Sequence, residues 1–111
     1  MAVLKEKNSS PILVKPGIQR RLLHTDNLMM VVIDFDNGPW ADPDPMHHHV
    51  HEQTTYVAEG EIIFLCEGEP DELLKKGDMF SVPPNRPHAI QLVSKQAKLI
   101  DSFNPVRADF L

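Results

Sequence analysis

Cysteine is almost missing from this chain. The single thiol, Cys66, has no partner with which to close a disulfide, so a disulfide-stapled scaffold is excluded and a reducing, cytoplasmic setting is expected. Basic charge is also short. With 11 Lys and Arg against 16 Asp and Glu the net charge is −5, and without a basic patch to offset phosphate repulsion nucleic acid is excluded as a partner. No apolar run reaches the roughly 18 residues that a membrane span needs. The opening stretch, Met1 to Asn8, alternates Lys and Glu and has no apolar core of signal-peptide length. No window carries a helical apolar stripe, and there is no internal repeat or low-complexity segment. The 111 residues therefore read as one soluble domain, long enough for a real core and too short for two.

Proline and histidine are what the chain has in quantity. Pro39, Pro43 and Pro45 crowd one segment, and Pro83, Pro84 and Pro87 another. Neither segment can be helix interior or central strand. Both flank histidines: His47, His48, His49 and His51 follow the first cluster, and His88 follows the second. Imidazole fills an apolar core poorly, and each ring nitrogen needs a partner. Neutral imidazoles converging on a divalent metal explain the crowding directly, and stiff proline-bearing backbone suits a preorganised site.

The remaining pattern is of short strands. Candidates are 12–14, 18–25, 28–35, 54–58, 61–66, 71–75, 79–82, 88–93 and 97–103, punctuated by Pro16-Gly17, Asp26-Asn27, Glu59-Gly60, Glu67 to Pro70, Lys76 to Asp78 and Asn104-Pro105. Such spacing fits an all-β sandwich or barrel, here a small antiparallel barrel. Residues 1–17 form a leader with an edge-strand candidate, 18–111 form the barrel domain, and Arg107 to Leu111 is a tail.

Residues two apart on a strand share a face. His47 and His49 then project together into the barrel while His48 points away, Gln53 returns to the inner face, and His88 arrives from a distant strand. Three imidazoles and one amide oxygen leave about two positions open on an octahedral ion, as substrate activation requires. The donor set suits Zn, Ni, Fe or Mn alike. An amide adds no charge, so the ion keeps its full positive charge, which favours a Lewis-acid role over oxygen chemistry. His51 shares the parity of His47 and His49 and is either a further ligand or a residue of the site mouth. His48 and Glu52 face solvent, His24 is an ordinary strand residue, Arg86 anchors a loop or interface, and Tyr56 lines either the cavity or the core.

His47, His49, Gln53 and Gly60, followed by Gly77, Pro83 and His88, resemble the two motifs of the cupin superfamily. Gln53 replaces the usual Glu, Asn85 a Gly, and Leu92 an Asn. The resemblance implies a jelly-roll β-barrel, usually a homodimer. A closer resemblance, carried by Asp26 to Met30, the run from His47 to Val57 and the ending Asp101 to Leu111, is to the KdgF-type pectin-degradation cupins. Those enzymes convert 4,5-unsaturated monouronates, from pectin or alginate breakdown, to linear keto sugars. Their C-terminal D-x-F-x3-R pattern, which supplies the working side chains, falls here on Asp101, Phe103 and Arg107.

The chemistry suits these residues. Ring opening and ketonisation of an unsaturated uronate need proton transfers, for which Asp101 near a cation is a candidate general acid/base. Arg107 can grip the substrate carboxylate bidentately, and Phe103, on the face of Asp101, can pack on the sugar. Two other functions stay open at this stage. One is a metal-dependent module that binds a small acid or sugar without turnover; the other is an oxygenase or decarboxylase on the same scaffold. A sensor would use the arginine but no proton shuttle.

Overall fold

A computed structural model of the chain describes residues 2–111. Among these, nine strands carry almost all the regular structure: β1 Ile12–Lys15, β2 Ile18–His24, β3 Met29–Phe35, β4 Glu52–Glu59, β5 Glu61–Cys66, β6 Glu72–Lys75, β7 Met79–Val82, β8 His88–Leu92 and β9 Ala97–Asn104. Two 3₁₀ turns, Glu6–Asn8 and Ala108–Phe110, are the helical elements. None of the described helices is long and apolar enough to cross a membrane.

The strands form a six-stranded antiparallel sheet, ordered β1-β2-β3-β9-β4-β7, and a three-stranded sheet, β6-β5-β8. This is the all-β antiparallel barrel expected from the strand spacing. The period-2 pattern sorts the residues. In β9, Ala97, Leu99, Asp101 and Phe103 are buried and alternate with partly exposed neighbours; in β4 the buried set is Gln53, Thr55 and Val57. β1 is the outermost strand of its sheet and pairs with β2 only.

Two apolar clusters fill the interior. Ile18, Phe35, Val57, Ile62, Leu92, Ala97 and Leu99 form one, and Met29, Val31 and Phe103 the other. Between them the register sets polar side chains into the inner face. Gln53 lies opposite Phe103, and Thr55 opposite Asp101, across the β4–β9 pair, while Asp101 faces Val31 on β3.

The proline-bearing segment 36–51 has no regular ladder, yet its path is fixed by the adjacent sheet. Gly38 donates to the Lys95 carbonyl (3.0 Å), Trp40 to Leu92 (2.9 Å) and Asp44 to Ile90 (3.1 Å). Gly38 must be glycine there, since a Cβ would lie 1.9 Å from the Ser94 carbonyl oxygen. Trp40 is locked by its indole N–H on Asn37 Oδ1 (2.9 Å) and packs edge-on against Phe35. The segment thus runs beside β8 until His47 pairs with His88.

Candidate functional site

His47 and His88 exchange backbone hydrogen bonds of 3.0 and 2.9 Å, an isolated antiparallel bridge. The expectation of a strand through His47 and His49 is corrected here: β4 begins only at Glu52. Pro83, Pro84 and Pro87 leave the facing segment without donors that a ladder there would need. The two histidines still meet, because one is held by this bridge and the other by a second tie, from the Asn85 N–H to the His49 carbonyl (2.7 Å). Asn85 has φ 63°, a left-handed conformation that Asn tolerates better than most residues. The Asn that departs from the motif glycine therefore keeps the turn that glycine would make.

The ring nitrogens of His47, His49 and His88 lie within 4.8 Å of one another. His49 Nδ1 meets the His51 carbonyl at 2.8 Å and His88 Nδ1 the Arg86 carbonyl at 2.8 Å. A carbonyl only accepts, so each Nδ1 carries the proton and each Nε2 of the neutral ring offers a lone pair. Gln53 is turned the same way. Its amide nitrogen donates to Thr55 Oγ1 (2.9 Å), leaving Oε1 at 3.2 Å from His49 Nε2. Two acceptors facing each other at that distance repel unless a cation lies between them. This donor set fits a divalent metal, with carbonyl partners behind the imidazoles orienting them as metal-ligating histidines require.

Burial and neighbouring positive charge favour the neutral rings of His88 and His47. His88 is pushed down to about 4, chiefly by burial, and His47 is lowered by burial and then by His49 and Arg107. His51 packs beside His49, with ring centres 5.5 Å apart, and lies outside the converging set.

Beyond Gln53 the polar chain continues into the barrel. Thr55 Oγ1 donates to Asp101 Oδ1 at 2.5 Å. Asp101 is 6% exposed, and burial pushes its carboxyl up to about 6 against the lowering effects of the Thr55 hydrogen bond, the Arg107 charge and Gln53. Thr55 was not singled out in the sequence, although its parity with Gln53 places it on the inner face; its partner emerges only from the β4–β9 register.

A cavity of about 300 Å³ joins these groups, its walls including His47, Gln53, His88, Asp101, Phe103 and Arg107. Phe103 stands edge-on to His49, with centroids 5.8 Å apart. Arg107 lies over Phe110 (4.1 Å) and Phe103 (5.2 Å). Its Nη2 and Nε donate to the Asp109 carboxylate at 2.8 and 3.3 Å. The residues read as a tail fold back as a cavity wall through Phe110. Arg20 and Lys15 of the first two strands and Asp44 of the proline segment also reach the cavity, and none was singled out in the sequence. Tyr56, expected in the cavity or core, is 42% exposed, because its buried neighbours Thr55 and Val57 take the inner face. Arg86 anchors a loop, donating from Nε and Nη2 to the Glu67 carbonyl (2.9 and 2.6 Å).

The cupin domain family model matches residues 31–103, which take in both histidine segments as well as Asp101 and Phe103. Over 96 residues the chain is 40% identical to the pectin degradation protein KdgF of Dickeya dadantii (strain 3937), covering 86% of this chain and 84% of that protein. The solved structure of KdgF from Halomonas sp. superimposes with a TM-score of 0.87 at 33% identity, covering 99% of this chain and 100% of the other. An RmlC-like cupin from Shewanella frigidimarina gives 0.86 at 34% identity, over 97% and 94% of the two chains. Motif spacing, barrel topology and histidine geometry agree with these similarities, and the chain belongs to the cupin family, as a relative of the KdgF pectin-degradation proteins.

Proposed function

We propose that the protein converts 4,5-unsaturated monouronates to linear keto sugars by ring opening and ketonisation, with one divalent ion held by His47, His49, His88 and Gln53. The observation that carries this is Asp101: a buried carboxyl with a pKa pushed up to about 6, lining the same small cavity as His47, His88 and Gln53. Such a group can both accept and deliver a proton near neutrality. Kinship with proteins named for pectin degradation supports the substrate class.

The reaction is an isomerisation, so its protons balance. The anomeric hydroxyl loses its proton, the C1–O5 bond breaks, and the electron pair passes to O5, leaving an aldehyde and an enolate. A proton delivered to C4 then yields the ketone. In this scheme Asp101 takes the first proton and gives the second, restoring itself. Thr55 fixes the carboxyl and, through Gln53, ties its position to the histidines. Phe103 offers an apolar face to the sugar ring, and Arg107 adds positive charge that favours the carboxylate-bearing substrate. Bound at the three imidazoles, Zn, Ni, Fe or Mn would act as a Lewis acid toward substrate oxygens. Exposed Ile12, Leu13 and Val14 on β1 support pairing of two copies.

The test follows the ultraviolet absorbance of the conjugated ene-carboxylate in freshly prepared unsaturated galacturonate. Decay faster than the spontaneous rate, lost on chelation and in Asp101→Asn, is expected. Background decay with metal bound would remove turnover and leave a sugar-acid-binding module.

A further inference from the structure

Arg20 is an inward-facing arginine on β2. It shares the parity of buried Ile18, whereas Gln19 between them is exposed, and it lines the cavity that holds Asp101, Arg107 and Phe110. Its guanidinium carbon lies 3.9 Å from the Phe110 ring centroid, so the ring steadies the planar cation without taking any of its hydrogen bonds. Its Nε is buried and has no hydrogen-bond partner among the described residues.

The other three arginines each have an anion: Arg21 lies near Glu6 and Asp34, Arg86 near Glu69, and Arg107 near Asp109. Of the two carboxylates on the cavity wall, Asp101 accepts from Thr55, and Asp44 forms no ion pair with Arg20. Burying a guanidinium nitrogen without an acceptor is costly. A planar, cavity-facing cation with uncommitted donors is suited to a carboxylate, whose two oxygens accept two parallel N–H bonds. Arg107 has the side-on edge of its fork committed, since its Nε and Nη2 donate to Asp109 at 3.3 and 2.8 Å, and offers a ligand only the end-on edge through Nη1.

We propose that Arg20 is the specificity-determining residue that binds the substrate carboxylate, with Phe110 holding its plane and Arg107 supplying supporting charge. The proposal rests on the sugar-acid function given above and changes which arginine makes the grip. A cavity of about 300 Å³ lies at the small end of ligand sites, which suits a single sugar ring.

The experiment is calorimetric titration of the metal-loaded protein with D-galacturonate and, separately, with neutral D-galactose. It compares wild type, Arg20→Gln, Arg20→Lys and Arg107→Gln, with thermal melting to verify folding. Wild type should prefer the acid. Arg20→Gln should weaken galacturonate binding roughly 10–100-fold, the loss expected for hydrogen bonds to a charged group, with galactose binding unmoved. Arg20→Lys, which keeps the charge but not the fork, should lose part of the preference, and Arg107→Gln less than Arg20→Gln. An unchanged acid preference in either Arg20 variant overturns the proposal. So does an equal loss for both sugars, which marks a wall residue, or a wild type with no acid preference. Turnover is scored separately: Arg20→Gln should raise KM for unsaturated galacturonate more than it lowers kcat. A protein that binds galacturonate through Arg20 yet leaves the unsaturated sugar at its spontaneous rate refutes the enzymatic function and leaves this assignment standing.

Discussion

The two halves of the site are built on different backbone. Gln53, Thr55, Asp101 and Phe103 stand on regular strands, paired residue for residue across β4 and β9. His47, His49 and the approach to His88 stand on irregular, proline-rich chain fixed by a few backbone ties. Strand-borne residues inherit their position from the whole sheet, so one altered side chain leaves its neighbours in place. The histidine half depends on local ties and on what the imidazoles share. The proton-handling half should therefore tolerate substitution without loss of architecture, and the metal half should lose its function all at once.

The largest effect is expected from the histidines. His49→Ala or His88→Ala removes one of three converging lone pairs, and altering groups behind a metal ligand already costs about 10–100-fold in affinity. Loss of a ligand should exceed that, so metal analysis after dialysis should find well below one ion per chain, with activity lost in parallel. Full metal content in both variants would break the three-histidine assignment. Next comes Asp101→Asn, expected to lower kcat by about 10²–10⁴-fold, the range of general acid–base catalysis, with metal content unchanged. That split separates the halves. Thr55→Val should be smaller, since the side chain lies behind the cavity wall and outside the histidine cluster. It removes the hydroxyl joining Gln53 to Asp101 and should cost roughly tenfold in kcat and severalfold in metal affinity. A kcat change without any affinity change would show that the two halves act independently.

The same contrast governs what could be read from the sequence. Parity placed Gln53, Asp101 and Phe103 on the inner face because their strands are regular. It also picked out the three histidines whose ring nitrogens converge, though through a strand that does not exist: spaced N–H donors from Gly38, Trp40, Asp44 and His47 hold the segment to β8 and its turn. Tyr56 was misplaced even though the same parity, applied to Thr55 and Val57, turns it outward. Thr55 was visible as an inward residue, but its bond to Asp101 depends on pairing across 46 positions. Arg20 and Phe110 meet only because the chain's end folds across the start of the six-stranded sheet, and no local pattern encodes that path.

The remaining effect is on stability, and its sign is informative. In the metal-free protein the Asp101 carboxyl has its pKa raised from 3.8 to about 6, burial being the main cause. A carboxyl whose folded pKa lies above its unfolded one makes the folded state the better proton binder between the two values, so stability falls as pH rises through that window. Above about pH 6 the full cost of the buried charge is present; below 3.8 none of it is. Asn cannot ionise and keeps an oxygen to accept the Thr55 hydroxyl. Asp101→Asn should therefore be more stable than wild type at pH 7.5, by about 3 kcal/mol, with the advantage gone near pH 4. His88, lowered to about 4, works in the opposite direction, losing stability as pH falls from 6.5, but it is common to both proteins and cancels in the difference. Denaturant unfolding with chelator at the two pH values measures this directly. A difference that does not change with pH would mean that the Asp101 carboxyl is ionised at no cost in the fold, and its fitness as a proton carrier near neutrality would go with it.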